Sequence, residues 1–146
     1  MTTVHLIKLS VGVDDVEHLA RIQAKRLADA RRNGAKPELK HVTRHRPRHA
    51  DDILDGGSIY WVIRGFIRAR QRIVDIRPAQ RADGTPGCAL VLDPELVRTE
   101  RRSARPFQGW RYLAAERAPR DAPIGRRADD EVPEKMANEL RQLGLL

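Results

Sequence analysis

Nine residues, Arg105-Pro-Phe-Gln-Gly-Trp-Arg-Tyr-Leu113, gather three of the chain's six aromatic side chains and set them among arginines. Indole and phenol rings offer flat faces on which bases stack, and guanidinium forks match phosphate oxygens. In an extended chain Trp110 and Tyr112 point to one side, Phe107 and Arg111 to the other. If the Trp110 side is wet, it is a stacking platform. If it is dry, Trp110 and Tyr112 fill a core short of large residues, with Gly109 allowing the backbone close approach. Two more aromatics, Tyr60 and Trp61, adjoin in GGSIYWVIRG, where both faces of the run are apolar, so the core is their expected place.

His41, His45 and His49 recur every fourth residue, next to Asp51 and Asp52. On a helix that spacing brings imidazoles together, as some zinc sites require. Pro47 and the extended pattern argue against a helix. On a strand His41 and His45 stand about 13 Å apart, too far to share an ion, so no metal is expected. General acid–base work by one of these histidines is the enzymatic alternative, and a deep pocket joining Trp110 to a histidine would favour it. Cys88 is the single cysteine, which excludes an intrachain disulfide and suits a buried strand thiol in a reducing compartment. Gly56-Gly57-Ser58 has the look of a phosphate loop, but no Lys-Ser/Thr follows and the glycines precede a strand. Walker and dinucleotide fingerprints are absent, so no cofactor is expected.

The formal charge of +8 and the pI near 10.5 make polyanions the expected partners. The charge is uneven. Residues 64–81 hold six arginines against one acid, and residues 98–127 hold nine against three. Residues 129–141 are acidic. If residues 66–77 form a strand, Arg68, Arg70 and Arg72 line one face about 7 Å apart, a spacing that suits the backbone of an extended single strand. The same row on an edge would also discourage aggregation.

These groups need elements to position them. Residues 3–10 read as a first strand. Asp14 or Asp15 can cap a helix whose apolar side, Val16, Leu19, Ala20, Gln23, Leu27 and Ala30, runs to about Arg32, where Asn33-Gly34 stops it. Residues 38–46 are extended, Ala50–Leu54 suits a short helical turn, and Ser58–Arg64 a buried strand. Residues 66–77 fit either a strand or the continuation of a helix from Ile59; Gly65 and the density of Ile and Val favour the strand. Asp83-Gly84 marks a turn before a strand at Cys88–Leu92. Residues 98–106 look like an exposed basic loop, and Phe107–Leu113 a last strand. Leu19, Leu27, Ile63 and Ile73 are expected in the core. The expected architecture is one α+β domain over residues 1–122, an antiparallel-rich small sheet or a PUA-like barrel packed on an N-terminal helix. A polar linker and a short C-terminal helix from Pro133 occupy residues 123–146. No run approaches a membrane span, and no leader is apparent, so the cytoplasm is the expected compartment.

The segments VHLIKLSVG, LDGGSIYWVIRGFIRARQRIVDIRP, LVLDPELV and RPFQGWRYL together resemble an uncharacterised alphaproteobacterial family, domain of unknown function 1489, over most of residues 3–122. That resemblance implies one complete domain and carries no activity. At the level of pattern, a helical turn, then GGSIYWVI, then GFIRARQRIVDI resembles PUA-like barrels such as the ASCH and EVE modules, which often bind RNA or modified bases. The residues themselves point first to a non-catalytic nucleic-acid-binding domain for RNA or single strands. Arg68, Arg70, Arg72, Arg101, Arg102, Arg105 and Arg111 would meet phosphate, and Trp110 and Tyr112 would meet bases. The alternatives are an enzyme acting on a nucleotide or modified base, and a protein-interaction module for an acidic partner.

Overall fold

The computed structural model describes residues 3–105 and 107–123. The expected C-terminal helix lies outside them. Among the described residues seven strands and two helices form an α+β unit: β1 (Val4–Leu9), α1 (Val16–Arg32), β2 (Leu39–Thr43), α2 (Ala50–Leu54), β3 (Ser58–Ile63), β4 (Phe66–Gln80), β5 (Pro86–Leu92), β6 (Val97–Ser103) and β7 (Trp110–Ala114). The sheet runs β2-β5-β4-β3-β1-β7, with β6 also paired to β4. The β1–β3 pair is parallel and the others are antiparallel, so the sheet is mixed. It does not close into a barrel, because β2 and β7 end the order without pairing.

Of the two candidate caps, Asp15 serves α1, accepting the His18 amide hydrogen at 2.7 Å, and Asn33 with left-handed Gly34 ends it. Residues 66–77 belong to a strand. Ile63-Arg64-Gly65-Phe66 is a tight hairpin with Arg64 and Gly65 both at positive φ, which fits the twist of the flanking strands and breaks any helix there. The basic segment expected as a loop is instead β6. It lacks apolar alternation because the backbone of β4, not buried side chains, holds it; Thr99 is its one buried residue.

Alternating strand residues feed two cores. On the helix side, Leu6, Leu39, Ile59, Trp61, Ile63, Ile73, Leu90 and Leu92 pack against Val16, Leu19 and Ile53. On the other side Tyr60, Val62 and Ile67 pack under Ile7, Leu9, Phe107 and Leu113. Leu19, Ile63 and Ile73 are buried as expected, whereas Leu27 is only partly covered. A polar group sits inside the helix-side core. Gln71 Oε1 accepts from Gln23 Nε2 of α1 at 2.7 Å and from Trp61 Nε1 at 2.9 Å. Gln71 Nε2 donates to Gln23 Oε1 at 2.8 Å and to the Asp93 carbonyl at 3.1 Å.

The glycine pair has a structural reason. Gly56 is left-handed, with φ 87°, and ends α2. Gly57 is buried where a Cβ would collide with the Ile53 and Val4 carbonyl oxygens, both backbone atoms that cannot swing aside. Gly57→Ala is therefore expected to cost about 3 kcal/mol, measured by urea unfolding. A loss under about 0.5 kcal/mol, the surface range, would contradict that close approach. Gln71→Ala should cost about 2–4 kcal/mol, because it orphans the Trp61 indole N–H and the Gln23 amide inside the core. The same variant should weaken the near-UV circular dichroism of Trp61, and an unchanged spectrum with unchanged stability would show that the network holds nothing in place.

Candidate nucleic-acid interface

The open sheet leaves a cleft where its two ends approach. A cavity of about 500 Å³ is lined from β2 and its loop by His41, Val42, Thr43, Arg44 and His45, from β1 by Lys8, and from β7 and its approach by Gln108, Gly109 and Trp110. Lys8 and Trp110 are register partners across β1 and β7, which puts both side chains on the helix side of the sheet. A smaller compartment of about 230 Å³ shares Lys8 and His41 and extends beneath α1, among Ser10, Ile22, Gln23, Arg26, Lys40 and Trp61. The two ends are tied at one point. The Tyr112 hydroxyl accepts the His49 amide hydrogen at 3.3 Å, and the Tyr112 ring packs edge-on against both His49 and Trp110, with centroids at 5.1 and 5.0 Å.

The cleft is cationic. Lys8, Arg26, Lys40 and Arg44 line it, and among the described residues no carboxylate does. Among the described residues no ion pair or hydrogen bond engages the Lys8 ammonium, and partial burial pulls its pKa below the ordinary lysine value. His41 stands edge-on to Trp61 with centroids at 5.7 Å. Burial first, then the charges of Lys8 and Arg26, lowers its pKa from 6.5 to about 4, so the imidazole is neutral at pH 7.

The residues singled out for nucleic-acid contact fall into three groups. Trp110 is half-buried and forms a wall of the cleft, and Tyr112 is 40% exposed beside it. Neither is wholly in the core. Arg101, Arg102, Arg105 and Arg111 are exposed; Arg102 donates to the Arg117 carbonyl, and Arg111 stacks over Phe107 at 4.9 Å on the sheet's opposite side. The expected row on β4 does not form. The register jumps between Trp61 and Val62, which makes Arg68 the extra residue of a bulge and buries it to 2% exposure, near the Phe66 ring at 5.9 Å. Arg70 binds Asp121 through two bonds of 2.7 and 2.8 Å and also donates to Ser58 Oγ, clamping the segment after β7 onto the sheet. Arg72 alone of the three projects to solvent.

Of the three histidines, His41 and His45 line the cleft, while His49 turns to Tyr112 and sits 3.7 Å from Asp52. Among the described residues no three His, Cys, Asp or Glu side chains converge in a way that could hold a metal. Lys8, Arg26, Lys40 and Arg44 escaped the sequence reading. They are scattered over β1, α1, β2 and a loop, and only the curl of the sheet gathers them.

The buried histidine makes stability depend on pH. His41 takes a proton at 6.5 in the unfolded chain but not until about 4 in the fold. Between those values the unfolded chain binds more protons, so stability is full above about pH 6.5 and falls as the pH drops toward 4. The expected loss from this group between pH 7 and pH 5 is about 2 kcal/mol. His5, whose pKa is lowered by burial and by Arg70, acts in the same direction, so the test is a difference. His41→Phe, which keeps a ring against Trp61, should remove most of that loss in denaturant unfolding at the two pH values. An identical pH dependence in both proteins would refute the buried neutral state.

Among the described residues no helix is long and apolar enough to cross a membrane. Neither curated proteins nor solved structures yield a match to this chain. The family described as protein of unknown function (DUF1489) does match, over residues 6–146, and the chain belongs to that family.

Proposed function

We propose that this domain binds RNA or another single strand without chemically altering it. The carrying observation is that Trp110 walls a cavity of about 500 Å³ whose charged lining, Lys8 and Arg44, meets no carboxylate among the described residues. An indole beside a basic hollow is suited to one unpaired base and its phosphate. A base in a duplex could not enter. Next to Trp110 on β7, Arg111 points to the other side of the sheet, and Arg101, Arg102 and Arg105 are exposed on β6 and the segment before β7. A strand crossing the β7 edge would meet the hollow on one side and arginines on the other. The pattern-level resemblance to PUA-like modules leans the same way, and a lone buried thiol suits a bacterial cytoplasm.

A second reading draws on the same cavity. It joins Trp110 to His41 and His45, and His41, neutral at pH 7, offers a hydrogen-bonding nitrogen to a nucleotide or modified base on which an enzyme would act. The binding reading is preferred because the lining offers no carboxylate among the described residues to orient or share a proton. Chromatography of nucleotides after long incubation separates the two: ligands recovered unchanged favour binding, and a product that disappears in His41→Phe favours the enzyme.

Titration of labelled RNA at two salt concentrations tests the proposal. Affinity should fall steeply with salt, and each phosphate-contacting cation removed from Arg44, Arg101, Arg102 and Arg105 should flatten the slope by about 0.7. Trp110→Ala should cost about 1–3 kcal/mol of binding with the slope nearly kept. Trp110 also packs on the core, so circular dichroism must first show that the variant is folded. Folded wild-type protein that binds no RNA at low salt would remove the proposal.

A further inference from the structure

We infer that the cleft takes a terminal nucleotide by its phosphomonoester, with the base beside Trp110 and the phosphate in the smaller compartment among Lys8, Arg26 and Lys40. The inference rests on the nucleic-acid reading above and names the part of the strand that is recognised.

The shape of the cleft is the first support. It has two compartments, about 500 and 230 Å³, joined through Lys8 and His41. Together they reach the size of small-molecule sites, about 300–1,000 Å³. Their chemistry differs. The larger has an indole wall suited to a base. The smaller lies between α1 and β2, against the buried Trp61, and gathers three cations with no acid among the described residues. Because the two compartments share Lys8 and His41, a phosphate at the end of a nucleotide can lie among these cations while its base reaches Trp110.

Charge is the second support. A phosphomonoester carries about −1.5 to −2 at pH 7, more than the single charge of a diester. Lys8 is partly buried, and neither it nor Arg26 has an ion-pair partner among the described residues. Lys40 reaches Glu38 only at 4.0 Å, and Glu38 is already held by Arg77 at 2.6 Å. Holding a lysine half out of water beside an arginine with no counter-ion is unfavourable in the empty protein. A dianion relieves it, and charge-assisted bonds from the ammonium and the guanidinium then fix the phosphate. His41, neutral at the junction, can hydrogen-bond the ligand there without adding to the repulsion.

The test uses one short RNA sequence in three forms, with a 5′-phosphate, with a 3′-phosphate, and with hydroxyls at both ends. The matching free nucleoside monophosphate is included, and all are titrated into the full chain. One phosphorylated end should bind about tenfold more tightly than the hydroxyl form, the gain expected of an added charge-assisted contact. Arg26→Ala should abolish that preference, read as the ratio of the affinities for the phosphorylated and hydroxyl forms. Arg26 is exposed on α1, so its truncation leaves the fold intact, and circular dichroism confirms this. Lys8→Gln should abolish the preference too and, because Lys8 lines both compartments, should also weaken the hydroxyl form. Equal binding of all three RNA forms by wild-type protein overturns the terminal-phosphate inference and leaves the single-strand reading standing. Binding of the monophosphate but of no RNA, lost in Arg26→Ala, supports the phosphate site with a free nucleotide as its source and removes the single-strand reading. Binding of none overturns both.

Discussion

The paired amides of Gln23 and Gln71 set the geometry on which the rest of the molecule relies. A buried primary amide that lacks partners is costly, and one that is satisfied fixes every group it touches. Gln71 uses both its oxygen and its nitrogen twice, on α1, on the Trp61 indole and on the Asp93 carbonyl at the end of β5. One side chain thus sets how α1 seats on the sheet, how the indole turns and where β5 stops. The turn of Trp61 matters beyond the core, because His41 lies edge-on against it and His41 joins the two compartments of the cleft. A strand residue in the middle of β4 therefore positions a site formed at the ends of the sheet.

β4 can serve those distant ends because it is long and twice interrupted. Its first half pairs with β3 and β6, its second with β5, and the register slips at Arg68 and again between Ile73 and Asp75. Bulges increase local twist and bend a strand. The sheet curls until β2 and β7 approach without pairing, and the gap between them is the cleft. Exposed edges of this kind invite another chain. Here the edges are spanned by the Tyr112 contact with His49 and flanked by Lys8, Arg44 and Trp110, so what enters the gap must tolerate cations.

Much of this was legible in local sequence. The Asp15 cap, the Asn33-Gly34 stop, the short α2 and the alternation of Ile59, Trp61 and Ile63 against Tyr60 and Val62 follow from short-range rules, and the structure keeps each of them. What could not be read was long-range. β6 has no apolar pattern because pairing to β4 holds it. Arg68 is inside because a bulge shifts its phase, and alternation counted from sequence assumes that no residue is extra. The RPFQGWRYL aromatics were visible as a platform or a core. They are partly each, because Trp110 sits at the rim where a core ends and a cleft begins. The histidines showed their spacing, but their separation into two that line the cleft and one that braces it depends on where β2 ends.

The distribution of counter-ions gives the cleft its character. Outside it, several arginines find carboxylates: Arg32 with Asp29, Arg64 with Asp14, Arg70 with Asp121, and Arg77 with both Glu38 and Asp75. Those pairs are mostly solvent-facing and contribute little to stability individually. Their consequence is that the nearby acids are engaged away from the cleft. Glu38 shows this most clearly. It precedes β2 directly and reaches Lys40 only at 4.0 Å, because Arg77 holds it at 2.6 Å and keeps its carboxyl below the usual range. Lys8, Arg26 and Arg44 are left with a basic field focused in a low-dielectric hollow, where an entering anion is attracted more strongly than at an open surface. A net charge of +8 alone would describe a sticky surface. The same charge is partly neutralised on α1, in the β3–β4 turn and along β4, while Lys8, Arg26 and Arg44 around the cleft have no ion-pair partner among the described residues.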